Sequence, residues 1–197
     1  MQLTLVVVAA DHASLKGFDC SFLEPTHKTV LIANTAKWSL AEIGNWYLNR
    51  ETGVVGLCHA DCTFNDGALA AFLMEAEQGK VCGIVGRSET QEYKVGYRWC
   101  FQTPGDVSTL DSCSIFLRTD IGLRFDEKTF DGYHCHVEDV CLQAQARKIP
   151  VVVPAADARH VGVNWLQRYE GHVWLADYQR YRELLVKKWP DFSFATT

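Results

Sequence analysis

The chain opens on LTLVVVA, an unbroken apolar run over residues 3–9. A run of that length and Val content predicts a strand covered on both faces, as in a parallel sheet. Shorter β-type runs at 29–33, 54–58, 81–85, 112–117 and 149–153 predict further strands. Pro150 and Pro154 flank the last of these and place it near a sheet margin. Between the runs the apolar spacing turns helical. Ser39-Leu40-Ala41-Glu42 is a capping box, and Leu40, Ile43 and Tyr47 continue it as one face of a helix. Leu69, Phe72, Leu73 and Ala76 predict a second helix, capped by Asn65 or Asp66 and closed by Gly79. Val137, Val140, Cys141 and Ala144 predict a third over 137–147, and a fourth over 174–189 buries Trp174, Tyr178, Tyr181 and Leu185. Residues 14–27 and 123–132 read as loop, and Pro104-Gly105 as a turn. Tyr93, Tyr97, Trp99 and Phe101 fall near alternate positions and predict a strand that serves the core or walls an acceptor site.

Strand–helix alternation in the first 85 residues points to an α/β class with a Rossmann-like parallel half. The remainder is mixed. One domain over 1–197 is expected, with a nucleotide-binding half at about 1–85 and an acceptor or catalytic half at about 86–197.

Composition narrows the function. An apolar fraction of 48% and a charged fraction of 22% suit an ordinary globule with a sizeable core. A net charge of −5 without a Lys/Arg cluster argues against a nucleic-acid surface, although an anionic ligand can still be held locally. No apolar run approaches the roughly 20 residues of a membrane span. The start lacks a basic n-region and reads as a core strand, not a signal peptide. Of eight cysteines, Cys58, Cys82 and Cys113 sit inside apolar runs, where thiols act as small hydrophobes. Reduced thiols and a cytoplasmic setting are the expectation.

Three polar clusters offer chemistry. His59-Ala60-Asp61 closes the strand at 54–58, at the strand end where parallel α/β sheets hold ligands. Two apart, His59 and Asp61 point to one side. The Asp61 carboxylate suits a divalent cation that neutralises a diphosphate, or it caps a turn. Glu138-Asp139 opens the third helix, where carboxylates favour the helix dipole. The pair caps the helix, or, off the stripe of Val137, Val140 and Cys141, it faces a cleft and supplies a general base. His160 lies in a loop, as a surface residue or as part of a metal shell. His134-Cys135-His136 and Cys58-x-x-x-Cys62 lack the paired C-x-x-C spacing of structural zinc sites. The first strand leads into VVVAADHAS, without the Gly-rich phosphate loop expected of a nucleotidyltransferase.

Two long stretches carry a family likeness. SLAEIGNWYLNRETGVVGLCHADCTF resembles the segment of glycosyltransferase family 2-like proteins that runs from a capped helix through a strand into an H-x-D or D-x-D motif. STLDSCSIFLRTDIGLRFDEKTFDGYHCHVEDVCLQAQARKIPVVVPAADARHVG resembles their second half: an L-D-[GS] segment, a strand, F-D-E-x-F, an acidic pair opening a helix, a strand and a His. The resemblance implies a GT-A fold, a mixed sheet flanked by helices with a C-terminal helix. It further implies sugar transfer from a UDP- or GDP-linked donor to an acceptor hydroxyl, with Mn²⁺ or Mg²⁺ and with inversion. By the same likeness Asp61 binds the metal and His160 reaches it. Asp139 is the base with Glu138 beside it, and Asp111 borders the donor sugar. His59 lies near the ribose, and Ala10, Asn34 and Asn45 hold the nucleoside. His59 stands where the motif's first Asp is usual, and Asn34-Thr35 replaces the usual acidic nucleoside contact. A non-catalytic nucleotide- or sugar-binding module on the same fold is the alternative.

Overall fold

The computed structural model describes residues 1–15, 18, 27–65, 67–87, 104–160 and 173–192. The expected strand over 93–101, the Asp66 cap, and most of the 14–27 loop lie outside these residues.

Seven strands form the central sheet. β1 (Leu3–Ala9) pairs in parallel with β2 (Lys28–Ala33) on one side and β3 (Val54–His59) on the other. Every β1 residue is buried, with Val6 and Val8 in the core on one face and Leu3, Leu5 and Val7 in the core on the other. That two-sided burial is what the unbroken apolar run encodes. α2 (Leu40–Leu48), which follows a short α1 (His12–Leu15), covers the first face. α3 (Ala68–Glu77) covers the second with Leu69, Phe72 and Ala76, and between β3 and α3 runs the short β4 (Cys62–Phe64).

β5 (Val81–Cys82) and β6 (Gly86–Arg87) follow α3, then β7 (Gly105–Asp106), β8 (Thr109–Leu110) and β9 (Ser114–Arg118). α4 (His136–Ala146), β10 (Val151–Val153), β11 (Ala158–His160) and α5 (Val173–Lys188) complete the described chain. The sheet order is β2-β1-β3-β9-β5-β10-β7, with antiparallel pairing at β3–β9, β9–β5 and β10–β7. β4–β11 and β6–β8 are separate antiparallel pairs. Phe130, Cys135, Leu142, Tyr181 and Leu185 form a third cluster that docks α5. The mixed sheet, its flanking helices and the C-terminal helix are the architecture expected from the sequence.

Local features differ from expectation for identifiable reasons. The run at 81–85 leaves the sheet after Cys82, because the Ile84 N–H turns to the Ser114 hydroxyl at 2.8 Å. A side chain at Gly83 would lie 2.6 Å from the Ser114 carbonyl oxygen, so only glycine fits the crossing. Gly67, at φ 77, takes the N-cap of α3 instead of Asn65, whose side chain reaches across to Asp157. Gly105 belongs to the edge strand β7 and not to a free turn. His160 lies on β11, paired with Cys62, and not in a loop. Tyr181 and Leu185 are buried and Tyr178 is half-buried, whereas the Trp174 side chain lies outside the described residues.

The capping box is formed in full. The Ser39 hydroxyl accepts from Glu42 N–H, and the Glu42 carboxylate accepts from Ser39 N–H at 2.8 Å. Ser39 is 3% exposed, so water cannot replace its hydroxyl. Ser39→Ala is expected to lower unfolding stability by about 1–2 kcal/mol, the upper part of the range for caps. A urea midpoint unchanged from wild type would show that α2 is held by packing alone.

Candidate active site

Three chain segments converge at the C-terminal end of β3. The His59 N–H donates to the Cys113 carbonyl at 2.9 Å, and the Ala60 N–H to the Val8 carbonyl at 3.0 Å. These bonds fix the His59-Ala60-Asp61 corner between the ends of β1 and β9. The β4–β11 ladder then sets His160 opposite Cys62, beside that corner. His160 Nε2 lies 3.3 Å from Asp61 Oδ1, and the His59 and His160 rings meet edge to face at 5.8 Å. Ligand atoms of His59, Asp61 and His160 all lie within 4.8 Å of one another. Those of Asp111, Cys113 and His160 do so as well.

The electrostatics favour a neutral His59 imidazole and an ionised Asp61 carboxylate. Burial, then the neighbouring His160, push the His59 imidazole below its ordinary value, against the opposing effect of Asp61 and Asp111. Burial alone would raise the Asp61 carboxyl. The hydrogen bond from His160, ahead of the electrostatic effect of the two imidazoles, outweighs it and holds Asp61 below its usual range. A neutral imidazole and an ionised carboxylate are the forms that ligate metal.

Other expected site residues divide into those nearby and those engaged elsewhere. Ala10 follows β1 and is exposed, and the Asn34 N–H donates to the Ala9 carbonyl at 2.8 Å, so both stand at the same sheet end. The Asn34 amide is occupied within its own loop, donating to the Trp38 carbonyl at 2.7 Å and accepting from Trp38 N–H at 3.0 Å. Asn45 clips α2 to the 123–127 segment: it donates to the Phe125 carbonyl at 2.8 Å and accepts from Phe125 N–H at 2.9 Å. Both amides are thus engaged in shaping the local backbone.

The acidic pair departs from the sequence reading in one respect. Glu138 and Asp139 are 1% and 0% exposed, not open to a cleft. Asp139 accepts from Trp189 Nε1 at 2.7 Å, Lys188 Nζ at 2.8 Å and Gln143 Nε2 at 2.9 Å. Helical periodicity identified the stripe that packs on the sheet. It could not show that α5 and the residues after it cover the flank of α4.

Two residues that the sequence reading set aside gain weight from the structure. Cys113 read as a core hydrophobe, yet its position two after Asp111 repeats the His59-x-Asp61 spacing in the turn that leads into β9. His136 opens α4 fully buried, and neither ring nitrogen has a hydrogen-bond partner among the described residues. Burial first, then His59 and His134, push its imidazole down to about 3.

Known proteins supply the comparison. The profile of a family described as "Glycosyltransferase like family" matches residues 27–189. No curated protein matches the chain. A mutant of Drosophila β1,4-galactosyltransferase 7, solved with manganese, UDP-Gal and xylobiose, is similar in structure at a TM-score of 0.54. It is 11% identical, over 89% of this chain and 79% of that one. S. aureus TarS is similar at a TM-score of 0.52 and 14% identity, over 99% of this chain but 41% of TarS. TarS 1–349 in complex with UDP-GlcNAc gives a TM-score of 0.51 at 16% identity, over 99% of this chain and 68% of that one. At such identities the structures establish shared architecture, and the profile establishes kinship. With an acidic corner at the open end of β3 and a family match across most of its length, this chain belongs to the glycosyltransferase-like family and has the GT-A fold.

Proposed function

We propose that the protein transfers a sugar from a UDP- or GDP-linked donor to an acceptor hydroxyl, with a divalent cation and with inversion at the anomeric carbon. The observation that carries this reading is the convergence of His59, Asp61 and His160 at the C-terminal end of β3, in a fold shared with proteins solved with manganese and UDP-Gal or with UDP-GlcNAc. Two imidazoles and one carboxylate fit a cation of intermediate hardness, which favours Mn²⁺ over the all-oxygen preference of Mg²⁺. When bound, the cation supplies charge neutralisation to the leaving diphosphate. Asp61 and His160 would hold it, with His59 at its side toward the ribose. Asp111 borders the donor sugar, while Ala10 leaves room for the nucleoside beside the Asn34 loop. The half at about 1–85 would then serve the donor and that at about 86–197 the acceptor.

The acceptor proton requires a base. Asp139, with Glu138 beside it, takes that role in this reading once Trp189 and Lys188 move off its carboxylate, because a base must reach the hydroxyl it deprotonates. A second reading, a nucleotide- or sugar-binding module without catalysis, is favoured by the burial of this pair.

Thermal denaturation with UDP-sugars and Mn²⁺ tests the first step. Ligand at about 100 times its Kd adds about 2.7 kcal/mol, a shift of roughly 5–10 °C for a domain of this size. Asp61→Asn is expected to abolish the Mn²⁺-dependent part of the shift. No shift with any UDP- or GDP-sugar in the presence of Mn²⁺ would remove both readings. A shift without sugar transfer to any tested acceptor selects the binding module.

A further inference from the structure

We infer that Asp111, Cys113 and His160 form a thiolate-containing site for a softer cation of the Zn²⁺ type, on the β9 side of the His160 ring. The inference rests on the proposed reading of His160 as a residue that faces a metal. Ligand atoms of the three residues lie within 4.8 Å of one another, so small side-chain movements bring them to the roughly 3.3–3.8 Å separation of a tetrahedral ion bonded at about 2.0–2.3 Å. The turn that presents them is fixed by the Cys113 N–H donating to Asp111 Oδ1 at 2.8 Å. On the opposite side, β11 holds His160 by its pairing with β4. Cys113 is fully buried, whereas Asp111 and His160 are half-buried, so the thiol is the inner member of the set and the other two are the ones that meet solvent. Cys62, the neighbouring thiol, is directed to the Cys113 carbonyl at 3.4 Å and is not part of the set.

The donor chemistry decides which cation would stay. A thiolate with an imidazole selects Zn²⁺ over Mg²⁺ and Mn²⁺, whereas the Asp61 side offers a carboxylate and two imidazoles and suits a harder ion. His160 belongs to both triads. An ion on the Cys113 side therefore takes His160 away from Asp61, and Zn²⁺ would displace the harder cation without entering its site. The Cys113 thiol gives up one proton to the solution as the sulfur–metal bond forms.

The test uses the full chain and metal alone, with no nucleotide. One equivalent of Co²⁺ added to metal-free protein is expected to produce a thiolate-to-cobalt charge-transfer band in the near ultraviolet. Zn²⁺ at one equivalent should remove the band, and Mg²⁺ at an excess on the order of a hundredfold should not. Cys113→Ser should lose the band while its circular dichroism remains that of the wild type. A band that survives this substitution, or that never forms, overturns the site. X-ray absorption of the Zn²⁺-loaded wild type needs no variant. One sulfur neighbour at about 2.3 Å is expected, and a shell of nitrogen and oxygen alone overturns the proposal. The two ideas fail separately: an active transferase without the band loses only this site, and a chain with the band but no nucleotide binding loses only the transferase reading.

Discussion

Asp139→Asn is expected to reduce sugar transfer by about 10²- to 10⁴-fold, the contribution of a positioned general base, and to destabilise the fold by about 2–4 kcal/mol. The stability effect follows from the carboxylate's surroundings. Trp189 Nε1, Lys188 Nζ and Gln143 Nε2 all donate to a group with no solvent exposure. An Asn amide offers one oxygen and turns its NH₂ toward another donor. Lys188 keeps a second partner in Asp126 at 2.8 Å and is itself one-third exposed, so the loss stays at the lower end for a broken buried pair. The same lysine holds the Asp126 carboxyl down to about 2, where its hydrogen bonds, with those from Thr129, outweigh the opposing effect of burial.

Activity and stability separate in one comparison. Trp189→Phe removes one donor to Asp139 and leaves the carboxylate. It should lower the melting temperature while retaining transfer, with kcat at least that of wild type because one donor no longer holds the Asp139 carboxylate. Transfer at the wild-type rate by Asp139→Asn, assayed below its melting temperature, would leave Asp139 a purely structural residue.

Acidification below pH 6.5 is expected to destabilise the protein through His136. Burial lowers this imidazole to about 3 in the folded state, whereas an unfolded histidine titrates near 6.5. Between these values the unfolded chain binds a proton that the native chain refuses. Stability is therefore complete above about pH 6.5 and falls continuously as the pH drops toward 3. Each unit within the window costs about 1.4 kcal/mol, so two units remove roughly half the total stability of a marginal domain. His136→Leu preserves much of the volume and breaks no hydrogen bond, because the ring nitrogens have no partner among the described residues. At pH 7 the variant should lie within about 1.5 kcal/mol of wild type. At pH 5 it should be the more stable of the two. Urea midpoints across this range decide the matter, and parallel pH slopes for the two proteins would assign the acid lability to other groups. His59 and His134 are also lowered by burial, so the difference between the proteins is the informative quantity.

The Ser39 capping box, the continuous run of β1 and the apolar stripe of α4 are local patterns. Their meaning depends on neighbours within a turn or two of chain, and the sequence carries it whole. The order of Asp61, Asp111, Glu138-Asp139 and His160 was likewise legible, and with it the family and the GT-A architecture. Distance in space was not legible. That Cys113 and Asp111 meet His160 follows from β9 running antiparallel to β3 while β11 returns along β4, pairings made by residues about 50–100 positions apart. Residues off an α4 stripe look solvent-facing until α5 is docked by Phe130, Leu142, Tyr181 and Leu185. Periodicity reports that a face is polar, not what lies against it, and so it placed Asp139 in a cleft. By itself the sequence determined the long strands and helices, the family and the chemical groups around the VVGLCHADCTF strand. Only the tertiary structure decided which of those groups share one ion's reach and which are sealed beneath a helix, because that choice is made by long-range packing.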